Sequence, residues 1–189
     1  NENGRHFIKQ YSKNTGITTI LLDNDLFTKD GVNVGLNFER ASFITGVDIV
    51  GDMLFWTDPI PRRINVKRLL DGKFNTFDDD LLSIIRRPPD LPPTWTKVKT
   101  GDVGTVSLIR DSAFQFAWAF TYYDGEQSVF SPYSTMVDYG TEKDTADTIS
   151  VSLPFDVTIK QDVRFVELAV KFGNTGNLFI IKRWDRDNA

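Results

Sequence analysis

The chain has no cysteine, which excludes disulfide scaffolds, cysteine–zinc sites and thiol nucleophiles together. Compartment stays open, because a β-domain of this size can be secreted without disulfides. No apolar run approaches the ~18 residues of a membrane-spanning helix. An excess of one charge is missing as well. The 22 Lys and Arg stand against 26 Asp and Glu, for a net charge of -4. Without a Lys/Arg run, sequence-specific DNA or RNA binding is not expected. The only histidine is His6. One His cannot build a Ser-His-Asp triad unless partners converge on it, so a structural or exposed role is expected. A Gly-rich phosphate loop, an H-E-x-x-H helix and a nucleophile elbow are also missing. An enzyme is not expected, and no cofactor is implied.

Helical periodicity is scarce too. The best helix candidate is Asp78 to Arg87, acidic at its start, basic at its end and stopped by Pro88-Pro89. Everything else reads as short strands with turn punctuation. Aromatics make up 13% of the 189 residues, with 15 Phe against 2 Met, a bias that suits pleated surfaces. The expected fold class is therefore all-β.

Phe7 to Tyr11, Thr18 to Leu22 and Ile44 to Ile49 read as strands. Leu54 to Trp56 reads as another, with Ile64 to Lys67 pairing back on it. Arg87-Pro88-Pro89-Asp90-Leu91-Pro92-Pro93 holds four of the 8 prolines and reads as a semi-rigid linker. Beyond it, Phe114, Phe116, Trp118, Phe120 and Tyr122 alternate with smaller or more polar residues. This period of two makes one face wholly aromatic. Asp124-Gly125 is a turn. Glu126 to Phe130 returns as a strand, broken by Ser131-Pro132-Tyr133-Ser134. Ile149 to Leu153, a strand with Val166, Leu168, Val170 and Phe172 on one face, and Leu178 to Trp184 follow. The expected organisation is a blade-like segment over residues 1–87, a Pro-rich linker over 88–99, and an antiparallel sandwich of about seven strands over 100–189.

Phe55-Trp56-Thr57-Asp58, followed by Arg63-Ile64-Asn65-Val66 and Leu70-Asp71-Gly72, resembles the YWTD blade of β-propellers, with Phe in place of the first Tyr. The resemblance implies structural chemistry: the aromatic packs between blades, and Thr57 and Asp58 hydrogen-bond the turn and a neighbouring strand. A propeller closes with about four to eight blades, so these residues imply more chain. The opening Asn1-Glu2-Asn3-Gly4 and the closing Trp184 to Ala189 are expected to be internal to a longer polypeptide. The stretch FAWAFTYYDGEQSVFSPYS, ending at Ser134, resembles a fibronectin type III-like strand pair of phage virion proteins. Taken in order, the blade, the Pro-Pro linker and the sandwich resemble the tail stabilisation or muzzle proteins of crAss-like phages and the nozzle proteins of short-tailed phages. That resemblance implies a virion tail location, a ring of copies with adjacent tail proteins as partners, and passage of DNA without sequence-specific binding. The alternative is a carbohydrate- or receptor-binding β module.

Other candidates have plainer readings. Asp78-Asp79-Asp80 with Asp71 lacks calcium-loop spacing and reads as a helix start. Asp23, Asp25 and Asp30 read as turn residues rather than a glycosidase pair. Trp56, Trp95, Trp118 and Trp184 with Tyr122 and Tyr123 have the chemistry of a sugar platform, but packing is the expected role. Tyr123 points away from the aromatic face and is the expected exposed contact. Arg62-Arg63 and Arg86-Arg87 are expected on the solvated surface.

Overall fold

The computed structural model describes residues 6–29, 32–33, 36, 38, 43–98, 113–137, 148–154, 161–173 and 176–188. The fold is all-β, built from antiparallel pairs with two short helices. The chain forms two compact units, Asn1–Arg86 with Lys160–Asp162, and Arg87–Ile159 with Val163–Ala189.

In the first unit, β1 (Phe7–Tyr11) pairs with β2 (Thr18–Asp23), and β3 (Thr28–Lys29) with β4 (Val32–Asn33). The main sheet is β5 (Val47–Val50), β6 (Met53–Asp58) and β7 (Ile60–Asn65), in that order. Leu54 and Trp56 of β6 and Ile64 of β7 bury one face against Leu22, Phe74 and Leu82. The alternation along β6 is strict, as a period of two requires of a half-covered sheet.

Two local expectations fail here. The strand expected over Ile64 to Lys67 ends at Asn65, whose side chain accepts from the Arg68 amide (3.0 Å) and starts helix α1 (Val66–Leu70). Asn is a strong N-cap, and its local bond outcompetes the ladder. The helix expected over Asp78 to Arg87 is one turn, α2 (Asp79–Leu82). Asp78 caps it through the Leu81 amide, but Ser83 leaves the helix to bridge Arg62 and to bond Ile85. Two β-branched residues, Ile84 and Ile85, do nothing to extend it.

The second unit is a sandwich. One sheet is β12 (Leu178–Asp185), β11 (Val163–Phe172) and β9 (Phe114–Tyr122); the other is β10 (Thr148–Ser152) with β8 (Thr94–Val98). β8 falls inside the expected linker, where Trp95 pairs with Val151 across the ladder. Alternation over only five residues was masked by the prolines before it. The linker itself is part of this unit: the Trp118 indole donates to Leu91 O (2.8 Å) and the Tyr122 hydroxyl to Arg87 O (2.9 Å). Five strands are described in place of about seven.

The aromatic face of β9 lies opposite aliphatic residues of β11: Phe116 meets Val170, Trp118 meets Leu168 and Phe120 meets Val166. Trp95, Ile149 and Val151 of the smaller sheet close over Phe114, Phe116 and Leu168. Neighbouring rings along β9 meet edge to face, as in Trp118 with Phe120 at 5.3 Å. Phe172, expected on this face, is half exposed because β11 ends there.

Candidate functional site

Phe55, Trp56, Thr57 and Asp58 all lie on β6. Trp56 and Asp58 are buried at 3% exposure each, whereas Phe55 and Thr57 are half-buried on the other face. The Thr57 amide donates to Gly46 O (3.2 Å), so it joins the chain leading into β5. The Trp56 indole N–H is buried with no acceptor among the described residues. Arg63, opposite Phe55, is 3% exposed, which corrects the expectation of a solvated surface. At the edge of this sheet, β5 is exposed along its whole length.

Arg86 corrects the same expectation: it is buried in an ion pair with Asp162 (2.5 Å). Next to it, the Gln161 side chain accepts from the Asn75 and Thr76 amides and donates to Thr76 O, while Arg68 donates to Gln161 O. A two-residue piece from late in the chain thus completes the first unit. Its partners lie 76 to 93 positions away, so no local pattern announces it.

The remaining candidates resolve into structural contacts. The His6 Nδ1 accepts from the Phe38 amide (3.0 Å). Asp23 accepts from the Asp25 amide in a turn, and Asp30 lies outside the described residues. Asp79 pairs with Arg62 (2.5 Å). Among the described residues no three His, Asp or Glu side chains converge as a metal site would require. The aromatic platform does not assemble: Trp56 is in the first unit, Trp118 and Tyr122 are core, Trp95 donates to Thr135 O, and Trp184 is 39% exposed on β12. Tyr123, the expected exposed contact, is half-buried and donates to Asp187.

Three features of the second unit were not singled out from sequence. The first is the segment after the Asp124-Gly125 turn, where Gly125 takes φ 85°. The strand expected over Glu126 to Phe130 does not form. Instead Ser128, Ser131 and Ser134 run along β9, each donating its amide to a β9 carbonyl, of Phe120, Trp118 and Phe116, all at 2.8 Å. Their hydroxyls accept from those same residues' amides at 3.0, 3.1 and 3.0 Å. Three residues here span two of β9, a rise of about 2.2 Å per residue against ~3.3 Å in a strand. A contracted chain cannot present a carbonyl at each step, so the hydroxyl takes its place. The signal was Ser-x-x-Ser-x-x-Ser beside a strand of period two.

The second is Glu167, fully buried on the face opposite the aromatics. It accepts from Thr121 of β9 (2.9 Å), from Gln127 of the serine segment and from Arg183 of β12 (2.5 Å). One carboxylate therefore ties β11 to every neighbour in its sheet. The third is an open groove of about 500 Å³ beside β10, floored by Phe116 and Leu168 and walled by Ile149, Val151 and Trp184, with Lys182 at its rim.

These features are packing faces, strand edges and one largely apolar groove with a single lysine. Comparison with family models, with curated proteins and with solved structures found no match to this chain.

Proposed function

We propose that this chain is a structural component of a phage virion tail, of the nozzle or muzzle kind, present as several copies around the tail axis. Its partners are other copies of itself and adjacent tail proteins. Together they form part of the DNA channel wall, sealed before infection and opened during ejection. DNA passes without sequence-specific binding, and a net charge of -4 keeps the wall from holding phosphate.

What supports the reading is the resemblance of Phe55 to Asp58 and of the Phe116 to Ser134 stretch to such proteins, together with one observation. The edge strand β5 leaves Val47, Ile49 and Val50 exposed at 66, 65 and 62%. An open apolar edge templates aggregation, and proteins that act alone blunt it with charge, proline or a bulge. On β5 one charge, Asp48, stands among these apolar residues, and a neighbouring subunit meeting the edge would cover them.

The test is electron microscopy of native particles containing the chain, with mass spectrometry of their subunits. The expected result is a cyclic ring at a tail, built from a longer polypeptide. A free, folded monomer of 21.5 kDa overturns the reading. Glycan-array binding that disappears in Tyr123→Ala assigns a carbohydrate-binding module instead.

A further inference from the structure

Among the described residues, each three-stranded sheet has one closed edge and one open edge. In the first unit β7 is closed by Pro61, which has no amide to offer, and by the bridge between Arg62 and Ser83. In the second, Ser128, Ser131 and Ser134 close β9. No described strand pairs with the outer edge of β5 or of β12. All four residues of β5 are exposed, and on β12 Phe179, Ile180, Ile181 and Trp184 are 54, 48, 52 and 39% exposed. Two open apolar edges on one chain supply both a strand and a place to add it.

The charges on these edges decide which meets which. On β5 the only charge is Asp48, whose carboxylate accepts from the Ile49 amide (2.8 Å). A strand laid on this edge takes water from that carboxylate, which then needs a cation. On β12, Arg183 is held by Glu167, and Asp185 accepts from the Asp187 amide and from Asn188. That leaves Lys182, which enters none of the ion pairs among the described residues. Pairing β5 with its own copy brings two carboxylates to one seam, and pairing β12 with its own copy brings two ammonium groups. Pairing β12 with β5 brings one of each, as complementary interfaces do.

We propose that β12 of one copy adds as a strand to β5 of the next, with Lys182 set near Asp48. The two surfaces differ, so the contact is heterologous. Each copy fills one edge and offers another, and association continues until a ring closes or a filament grows. The inference deepens the proposed ring of copies and rests on it for its setting, and the purified chain tests the contact apart from the particle.

Sedimentation velocity of the intact chain is expected to show species larger than a dimer that grow with concentration. Asp48→Lys and Lys182→Glu, each checked for folding by circular dichroism, are each expected to weaken association about tenfold or more. Mixing the two variants, or combining both substitutions in one chain, is expected to restore it. A chain that stays monomeric or stops at a dimer overturns the proposal. So does association that neither reversal weakens, or that the combined substitutions fail to restore. Loss in Asp48→Lys alone assigns β5 to pairing with itself, and loss in Lys182→Glu alone does the same for β12; either overturns it. Each of these results removes this contact, whereas the ring reading falls only if native particles carry no ring.

Discussion

Ser131 and Trp118 exchange two hydrogen bonds: the Ser131 amide donates to Trp118 O at 2.8 Å, and the Trp118 amide donates to Ser131 Oγ at 3.1 Å. The hydroxyl proton goes on to Pro132 O. A side chain thus closes a strand edge where a second strand cannot, because the segment carrying it is too contracted to match the ladder. Ser128 and Ser134 repeat the device on either side.

Ser131→Ala leaves the buried Trp118 amide without its acceptor. The expected cost is about 1–3 kcal/mol, the penalty for an unsatisfied buried donor. Urea denaturation measures the loss, and hydrogen exchange locates it: the Trp118 amide is expected to exchange faster, with Phe116 and Phe120 less affected. A loss spread evenly over β9 would count against the hydroxyl as the specific partner.

Glu167→Ala removes the acceptor shared by Thr121, Gln127 and Arg183. Arg183 is 54% exposed and Gln127 is exposed, so both regain water, while half-buried Thr121 loses its partner. A loss of about 1–3 kcal/mol is expected, the penalty for unsatisfied hydrogen-bonding groups, since the cation left behind is exposed. Glu167→Gln keeps one acceptor oxygen and is expected to cost less, about 1–2 kcal/mol. A Glu167→Gln loss as large as that of Glu167→Ala in chemical denaturation would show that the carboxylate charge, and not the acceptor oxygen or the volume that Gln keeps, matters at this position.

Asp162→Ala takes the carboxylate from Arg86, whose side chain is 8% exposed. The expected loss is about 3–5 kcal/mol, and it should fall on the first unit. Amide exchange near Asn75 and Thr76, held by the adjacent Gln161, is the site-specific readout. Unchanged protection there would mean that the 161–162 segment does not stabilise that unit.

Trp56→Ala removes a large ring that is 3% exposed, and about 3–5 kcal/mol of stability with it. Trp56→Phe also deletes the indole N–H, which has no acceptor among the described residues. Removing an unsatisfied donor offsets part of the lost volume, so a cost below about 1.5 kcal/mol is expected. Thermal or urea unfolding of both variants checks this. A Trp56→Ala loss under about 1 kcal/mol would count against β6 as the core strand of its sheet.

Much of the fold was legible where a pattern is local. The bounds of β1 at Phe7 and Tyr11 follow from a short apolar-polar run ended by a turn. The aromatic alternation of Phe114 to Tyr122 announced the buried face of β9, because a period of two leaves each face one destination. The Asp124-Gly125 turn followed from residue chemistry alone. The helix over Asp78 to Arg87 did not survive, since a capping aspartate marks a start but sets no length. Of the candidate site residues, Trp56 and Asp58 are buried, while Tyr123 is engaged with Asp187.

The sequence by itself determined the all-β class, most strand positions and the aromatic face of β9, because alternation and turn chemistry act within a few residues. Tertiary structure alone decided that Arg63 and Arg86 are buried, that Glu167 joins three segments, that Ser131 stands in for a missing strand and that Lys182 lines a groove. Those outcomes depend on partners tens of residues away. The cost of burying a charge or an amide is set by the group that arrives to meet it, and spacing along the chain does not encode that arrival.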